Sequence, residues 1–317
     1  MRILFVWTGV TSYMADCWRE LAKMPGVELK VIVEDVDSGR EFDRRQVLSG
    51  LDGDIDGWRP DVLFAVGWHS RVVRGFVSRA DWAGTPKVCC FDMPWRWSLR
   101  CIVARWVLRP FLRRYAAAYV PGRICARYAK WLGFGIVRTG LFSIDMSRFR
   151  SVRADAARRG FLYVGRMSSE KRVDIIKAAH GRYRELGGTW PLDCYGQGGK
   201  FVQPDEMPRI YMEHACLVLA SAFDPWPLVA LEAMAAGCEV IMSDRCGNRF
   251  ELTGARVVCF GDVDGLAREM LAVERARENA AAECTEHAES LGRYDCRKWA
   301  ARTFAFAREL TGEGGLK

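Results

Sequence analysis

The chain lacks the features that mark membrane-spanning, disulfide-bonded and zinc-binding proteins. No apolar stretch approaches the ~20 residues of a membrane-spanning helix. None of the 12 cysteines belongs to a Cys-x-x-Cys pair, and their scatter through apolar segments is typical of buried thiols in a reducing compartment. Low-complexity tracts and internal repeats are absent too. The first apolar run, 3–7, is too short for a signal-peptide core, so we expect a cytoplasmic protein without a metal site.

Acidic residues are scarce in one part of the chain. Residues 71–150 hold sixteen Lys and Arg against three acids, a net charge of +13, whereas the whole chain carries +8. Within this block, residues 100–114 place five arginines among aliphatic and aromatic residues. Such a helix can lie on an anionic membrane surface, or it can face the core with its arginines in water. Nucleic acid is not an expected partner, because no helix-turn-helix, zinc-finger or aromatic strand motif accompanies the charge.

The 317 residues, half of them hydrophobic, are enough for two domains of ordinary size. Short apolar segments alternate with helical patterns in both halves, which predicts two α/β domains, each with a doubly wound parallel sheet. We expect domains over 1–140 and 141–292, followed by a terminal helix over 293–317. The predicted strands are 3–7, 29–34, 61–66, 87–91, 116–120, 160–164, 192–195, 216–220, 239–242 and 255–260. Ligand loops should follow the carboxyl ends of these strands.

The most informative segment is 221–237, where two prolines lead into a short helix. Asp224 suits an N-cap, Pro225 the first helical position and Gly237 the position after the helix. Unpaired N–H groups at the start of a helix bind phosphate well, and a carboxylate such as Glu232 can accept hydrogen bonds from sugar hydroxyls. An ordinary βα unit with a solvated Glu232 would show the same pattern.

A second segment, 163–171, places two cations in a loop that follows a strand. Arg166 offers a planar fork and Lys171 a point charge, which together fit a diphosphate and would stabilise a leaving nucleoside diphosphate. An exposed loop with ordinary charges is the alternative. Gly196 and Gly198 follow the next strand, where they either allow close approach of a ligand or only form a turn.

These motifs, taken in order, resemble the C-terminal domain of retaining glycosyltransferases of the GT-B fold, family 4 type (glycosyl transferases group 1). The resemblance covers 160–252 and includes Val-Gly-Arg166 with Glu-Lys171, the glycine turn 196–198, and Ser221, Asp224 and Glu232 as the family's Glu-x7-Glu signature. It implies two Rossmann-like domains that face each other across a cleft, with the last helix packing back on the first domain.

The resemblance also implies a role for each matching residue. A UDP- or GDP-sugar is the implied donor, no metal is required, and the implied acceptor is a glycan or a lipid-linked glycan. Asp224 stands where the family's first Glu contacts the transferred sugar. The implied donor-binding residues are Gly165, Arg166 and Lys171 for the diphosphate, Gly196 beside them, Leu228 and Val229 for the distal phosphate, and Glu232 for the ribose.

The chain departs from the family pattern at three positions. Asp224 is one methylene shorter than the usual Glu, Pro227 replaces a Gly and therefore offers no N–H, and Arg172 follows Lys171 where Gly is common. These changes affect the predicted choice of sugar more than the predicted binding of a nucleotide.

The first half matches the family only loosely. The loop with Gly9 and Thr11 stands in the place of the family's Gly-rich first loop, on the acceptor side. Asp92 and His69 are the candidate catalytic residues there. His69 could equally be a loop residue without a role, and Asp92 a turn or cap carboxylate.

We therefore expect a retaining glycosyltransferase in surface polysaccharide or glycolipid assembly, cytoplasmic and peripheral at the inner face of the membrane. Two other functions remain open. A nucleotide-sugar epimerase shares the architecture, and a non-catalytic glycosyltransferase-like subunit would bind the donor without transferring the sugar.

Overall fold

The computed structural model describes residues 1–34, 55, 57–96, 98–149, 158–197, 200, 202–203, 205–279 and 291–313. The chain divides into two compact units. Unit 1 comprises Met1–Asp145 and the segment from Tyr294 onward, and unit 2 is Met146–Arg293. The predicted boundary at residue 140 lies shortly before this division.

Unit 1 contains a six-stranded parallel sheet in the order β2-β1-β3-β4-β5-β6. Its central strands are buried along almost their whole length, as expected for a sheet covered on both faces. The strands are β1 (Arg2–Trp7), β2 (Glu28–Val33), β3 (Val62–Val66), β4 (Lys87–Cys90), β5 (Ala117–Val120) and β6 (Val137–Thr139). The helices between them are α1 (Ser12–Ala22), α2 (Arg71–Val77), α3 (Leu99–Leu112) and α4 (Arg123–Leu132).

Unit 2 contains a five-stranded parallel sheet in the order β11-β10-β9-β7-β8. Its strands are β7 (Phe161–Val164), β8 (Leu192–Tyr195), β9 (Cys216–Leu219), β10 (Glu239–Ser243) and β11 (Arg256–Val258). Its helices are α5 (Val173–Glu185), α6 (Met207–Glu213), α7 (Leu228–Ala235) and α8 (Val263–Asn279). Helices α5 and α8 pack together, and the Tyr183 hydroxyl on α5 donates to Glu274 on α8 at 2.6 Å.

The last helix, α9 (Cys296–Thr311), belongs to unit 1 and packs against α1 and β3. Asp295 caps it by accepting a hydrogen bond from the Arg297 N–H at 3.0 Å. Trp299 is fully buried, and its indole N–H donates to the Leu141 carbonyl at 2.7 Å. Because α9 covers the sheet, the hydrophobic core of unit 1 is built from both ends of the chain.

Helix α7 begins later than the sequence predicts. Asp224 is not its N-cap and Pro225 is not its first residue, because the helix begins at Leu228 with Pro227 as N-cap. A proline disfavours helical geometry in the residue before it, so the chain cannot turn into a helix before Pro227. The predicted end is confirmed: Gly237 has a φ of 82°. Its N–H donates to Met234, and the next N–H closes the longer bond of a Schellman motif.

Candidate functional site

The loops after β7, β8, β9 and β10 lie at one edge of the unit 2 sheet, because these strands are parallel neighbours. Backbone hydrogen bonds tie the loops together. The Ala222 N–H donates to the Glu170 carbonyl at 2.8 Å, and the Gly247 N–H donates to the Asp224 carbonyl at 2.8 Å. The loop positions predicted to bind the donor therefore come together from distant parts of the sequence.

Two glycines let the first two of these loops touch. A Cβ on Gly196 would lie 2.2 Å from the Gly165 carbonyl oxygen, and Gly196 itself has a φ of 119°. The buried Tyr163 closes this corner by donating from its hydroxyl to the Arg166 carbonyl at 2.7 Å. This tyrosine was not among the predicted site residues. Gly198, the other predicted glycine, lies outside the described residues.

Lys171 and Asp224 form an ion pair in this corner. The Lys171 Nζ lies 2.5 Å from Oδ2 of Asp224, and both side chains are largely buried. Burial raises the pKa of the Asp224 carboxyl, although the Lys171 ammonium, a backbone hydrogen bond from Trp226 and the charge of Arg166 oppose this effect. The Arg166 side chain is exposed. The corner therefore holds one buried carboxylate beside two cations.

The N-terminus of α7 opens at the same edge. Leu228 and Val229 are its first two residues, so their N–H groups have no partner within the helix. No side chain caps this end. Asn248, which is fully buried, fixes the entry to the helix by donating from Nδ2 to the Pro227 carbonyl at 3.0 Å. An anion at this point would meet backbone donors and the positive end of the helix dipole.

Glu232 is the fifth residue of α7 and is partly buried. The Tyr211 hydroxyl on α6 donates to its Oε2 at 2.7 Å. Burial raises the pKa of the Glu232 carboxyl, and the hydrogen bond from Tyr211 and the charge of Arg148 oppose the rise. No local pattern in the sequence points to Tyr211, since the contact depends on how α6 packs against α7.

Arg172, one of the departures from the family pattern, has a left-handed backbone conformation. Its φ of 49° is the one positive value among the described non-glycine residues. Glycine adopts this conformation without the steric cost that a side chain brings. The Arg172 side chain forms a bidentate ion pair with Asp174 at 2.8–3.2 Å.

The predicted residues of unit 1 follow three neighbouring strands. Gly9 and Thr11 come after β1, His69 after β3 and Asp92 after β4, so all four lie at the carboxyl edge of one sheet. Thr11 is the N-cap of α1. Burial and the charge of Arg100 lower the pKa of His69. His69 and Asp92 are both exposed.

Within the described ranges, one group of potential metal-ligand atoms lies close together, formed by Asp145, Asp295 and Cys296. It surrounds the start of α9 in unit 1 and includes none of the predicted site residues. Among the described helices, none has the length and apolarity needed to cross a membrane.

Part of the sequence is similar to known glycosyltransferases. Residues 198–275, which include α7 and Glu232, match the family model described as Glycosyl transferases group 1. An uncharacterized glycosyltransferase from Methanocaldococcus jannaschii is 27% identical over 114 residues. That match covers 30% of this chain and 29% of the length of the relative.

Solved structures of similar fold cover nearly the whole chain. A sucrose-phosphate synthase from Thermosynechococcus elongatus has a TM-score of 0.74 at 14% identity, covering 99% of this chain and all of its own. A glycosyltransferase from Rickettsia africae has a TM-score of 0.75 at 10% identity, covering 98% of both chains. HepE of Anabaena, solved with UDP and glucose, has a TM-score of 0.70 at 12% identity, covering 98% of this chain and all of its own. The chain has the GT-B fold, and its resemblance to group 1 glycosyltransferases is confirmed.

Proposed function

We propose that this protein is a retaining glycosyltransferase that moves a sugar from a UDP- or GDP-sugar to a hydroxyl acceptor. One observation carries the proposal: Arg166, Lys171, Asp224 and the open N-terminus of α7 lie at a single sheet edge. Cations and backbone N–H groups are what a diphosphate needs, and the carboxylate beside them can hold sugar hydroxyls. The UDP and glucose bound in HepE support the same class of donor.

Each donor-binding residue would contact a different part of the nucleotide sugar. Arg166 and Lys171 would neutralise the diphosphate, and the Leu228 and Val229 N–H groups would bind the distal phosphate. Glu232, which Tyr211 holds in place at 2.7 Å, would accept both ribose hydroxyls. Only glycine fits between the β7 and β8 loops, so the backbone at Gly165 and Gly196 can approach the phosphates closely.

The proposed reaction needs no nucleophile from a side chain. The acceptor oxygen would bond to the anomeric carbon on the face that the diphosphate leaves, while the bond from that carbon to the phosphate oxygen breaks. The acceptor proton would pass to the departing phosphate. Arg166, Lys171 and the N-terminus of α7 would stabilise the charge that builds on that phosphate. We propose that these groups make the reaction independent of metal.

Asp224 would hold the transferred sugar after the donor has weakened the ion pair between Asp224 and Lys171. In the present structure the ammonium of Lys171 occupies Oδ2 of Asp224. A diphosphate would attract the same ammonium, which would release a carboxylate oxygen for a sugar hydroxyl. We propose that the sugar is selected at this corner, because Asp224 is shorter than the family's usual Glu and Pro227 lacks an N–H.

We assign the acceptor to unit 1, where His69 and Asp92 would act on it and the Gly9–Thr11 loop would contact it. The basic charge of residues 71–150 favours an anionic or membrane-borne acceptor, such as a growing surface polysaccharide or glycolipid. Residues 100–114 would contact the anionic inner face of the membrane from the cytoplasm. His69→Ala and Asp92→Ala should then slow transfer while nucleotide affinity stays unchanged.

Calorimetric titration with UDP, GDP and ADP tests the donor site. Arg166→Ala and Lys171→Ala should each weaken binding of the preferred nucleotide by about 1–3 kcal/mol, as loss of a charge-assisted hydrogen bond does. Lys177→Ala is the matched control, because Lys177 is an exposed lysine on α5 of the same unit. Wild-type affinity in both site variants would refute the assignment of the phosphates to this corner.

A non-catalytic binding subunit is the second candidate, because Asp224 is already paired with Lys171 and Pro227 lacks an N–H. Incubation of the protein with its preferred nucleotide sugar and cell-derived acceptors separates the alternatives. Sugar appearing on the acceptor supports the transferase. Donor that binds but stays intact supports the subunit, and inversion of the sugar without any acceptor supports an epimerase.

A further inference from the structure

Helix α3 of unit 1 presents an unusual exposed surface. Four of the nine large hydrophobic residues that are exposed in the described parts of the chain lie on it. Their exposed fractions are 80% for Leu99, 48% for Val103, 58% for Trp106 and 68% for Val107. A contiguous apolar surface of this kind marks an interaction site on an otherwise soluble domain. We call these four residues the apolar stripe.

A row of three arginines adjoins the apolar stripe. Arg105, Arg109 and Arg113 are spaced four residues apart, so they share one face at the end of α3. Trp106 lies one turn from Arg109 and therefore joins the two surfaces. The buried residues of α3 are Cys101, Phe111 and Leu112. Arg109, Arg113 and the apolar stripe are exposed, and Arg105 is partly buried beside the core.

The three arginines line a cavity of about 360 Å³. Its other walls come from Leu112, Tyr115–Ala116 and the segment Leu132–Gly135 that ends α4, and no acidic residue lines it. Arg105 is held in position because its Nη1 donates to the Trp131 carbonyl at 3.2 Å and its guanidinium lies 5.5 Å from the Trp131 ring centre. Within the described residues, none of the three arginines forms an ion pair with a carboxylate. We call this cavity the arginine pocket.

We propose that the arginine pocket and the apolar stripe together bind an anionic phospholipid of a bilayer. The pocket would take the headgroup phosphate through guanidinium forks, whose planar geometry matches phosphate oxygens. The apolar stripe would enter the boundary between headgroups and acyl chains, with α3 lying along the surface. The proposal extends the membrane contact proposed above by naming the group recognised, and it does not depend on glycosyl transfer.

The chemistry of α3 favours a lipid over other occupants. A soluble anion would use the three arginines but leave Leu99, Trp106 and Val107 in water. An apolar surface of another protein would cover the stripe but leave the arginines without counter-charge. A phospholipid supplies the phosphate and the apolar region side by side, at the spacing of adjacent helix faces.

Vesicle flotation tests the arginine pocket. The probes are phosphatidylcholine vesicles with and without about one third phosphatidylglycerol. A triple variant should bind the anionic vesicles roughly 100-fold more weakly than the wild type, at about five-fold per arginine. It combines Arg105→Gln, Arg109→Gln and Arg113→Gln. The control removes the same charge from exposed positions of unit 2, through Lys177→Gln, Arg184→Gln and Arg268→Gln.

If only the total charge mattered, vesicle binding would weaken equally in the triple variant and in the unit 2 control. That result would overturn the proposal that the arginine pocket binds the headgroup. Because Arg105 also packs against Trp131, the variant with only Arg109→Gln and Arg113→Gln guards against misfolding, and its melting temperature should match the wild type. Equal binding of vesicles whose negative charge comes from oleate instead of phosphatidylglycerol would also overturn recognition of a phosphate.

Fluorescence quenching tests the apolar stripe. Anionic vesicles with brominated acyl chains should quench part of the tryptophan emission, and this part should disappear in Trp106→Phe. The comparison is needed because the chain has 12 tryptophans. Unchanged quenching in Trp106→Phe would show that the stripe stays outside the bilayer.

Two further measurements identify the source of the phosphate and keep the proposals separate. If inorganic phosphate stabilises the protein through the three arginines while vesicles fail to recruit it, the pocket serves a soluble anion and the lipid proposal is wrong. UDP titration of the pocket variant should give the wild-type affinity, since the donor residues lie in unit 2. A failure to bind vesicles would refute the lipid proposal, and a failure to bind UDP would refute the proposed donor site. The two results can therefore be told apart.

Discussion

Burial decides the chemistry of the two carboxylates in unit 2. Asp224 and Glu232 both have a raised pKa, because the packed surroundings disfavour their charged forms more than their partners favour them. Lys171 binds Asp224 through an ion pair, whereas Glu232 accepts a hydrogen bond from the neutral Tyr211 hydroxyl and is also stabilised by the charge of Arg148.

The raised pKa of Glu232 predicts a pH-dependent stability. The folded protein binds the proton of Glu232 more tightly than the unfolded chain does. This difference stabilises the folded state fully at pH values below about 4.3, the ordinary pKa of a glutamate. This stability is lost as the pH rises through the raised folded pKa. Glu232→Gln should therefore raise the melting temperature of unit 2 at pH 7 and leave it nearly unchanged at pH 4, as measured by calorimetry.

The same variant should weaken nucleotide binding about ten-fold or more, because an amide offers one acceptor oxygen to the ribose where the carboxylate offers two. Glu185→Gln, at an exposed position on α5, is the control and should show neither effect. If Glu232→Gln melted lower than the wild type at pH 7, burial would not be the dominant influence on this carboxyl.

Sequence reasoning selected the residues that lie at the carboxyl edge of the unit 2 sheet, because cations, glycines and carboxylates follow strands in recognisable order. It could not find Tyr163 or Tyr211, whose roles depend on contacts across the fold. It also did not anticipate that Lys171 and Asp224 would bind each other, since 53 positions separate them in the chain.

At the scale of elements, the predicted strands correspond to those of the structure within about two residues, because buried parallel strands are short, continuous apolar runs. The exception is β6, a three-residue edge strand that contains Arg138 and has no such run. The start of α7 was predicted too early because Asp224-Pro225 imitates a cap and first turn. The second proline, at 227, delays the helix.

Two glycines test how tightly the elements of unit 2 are packed. Gly181 lies within α5, and a Cβ added there would meet open space, so Gly181→Ala should raise the free energy of unfolding by about 0.5–1 kcal/mol. A Cβ on Gly247 would lie 1.8 Å from the Pro225 carbonyl oxygen. Gly247→Ala should lower the free energy of unfolding by about 2–3 kcal/mol. Urea denaturation followed by circular dichroism measures both.

The pair of glycine variants controls for the addition of a methyl group itself. Gly247→Ala should also weaken nucleotide binding, because the loop it displaces carries Asp224, whereas Gly181→Ala should leave binding intact. Equal stability of the two variants would mean that the loops at the sheet edge can move apart at little cost.

At the scale of the whole molecule, unit 1 depends on residues from both ends of the chain. Trp299 on α9 is fully buried and lies 6.0 Å from Phe5 of β1 between ring centres. Trp299→Ala should destabilise unit 1 by about 3–5 kcal/mol through the cavity it leaves. Calorimetry should show the transition of unit 1 shifting downward while that of unit 2, and the affinity for UDP, stay unchanged.

A reciprocal variant completes this experiment. Trp190 is buried in unit 2 and packs on Phe161, at 5.5 Å between ring centres. Trp190→Ala should lower the transition of unit 2 and abolish UDP binding while unit 1 melts as in the wild type. A single transition that moves with both substitutions would show that the two units unfold as one.

The return of α9 to unit 1 has a consequence for biosynthesis. A ribosome releases the chain from its N-terminus, and domains generally fold as they emerge. Every strand of unit 1 is made before unit 2, yet α9, which covers β3, is made after unit 2. The nascent protein must keep an apolar patch of its first domain uncovered for as long as the second domain is being translated. A chaperone that shields that patch would then act on the first-made half, and the last helix would displace it.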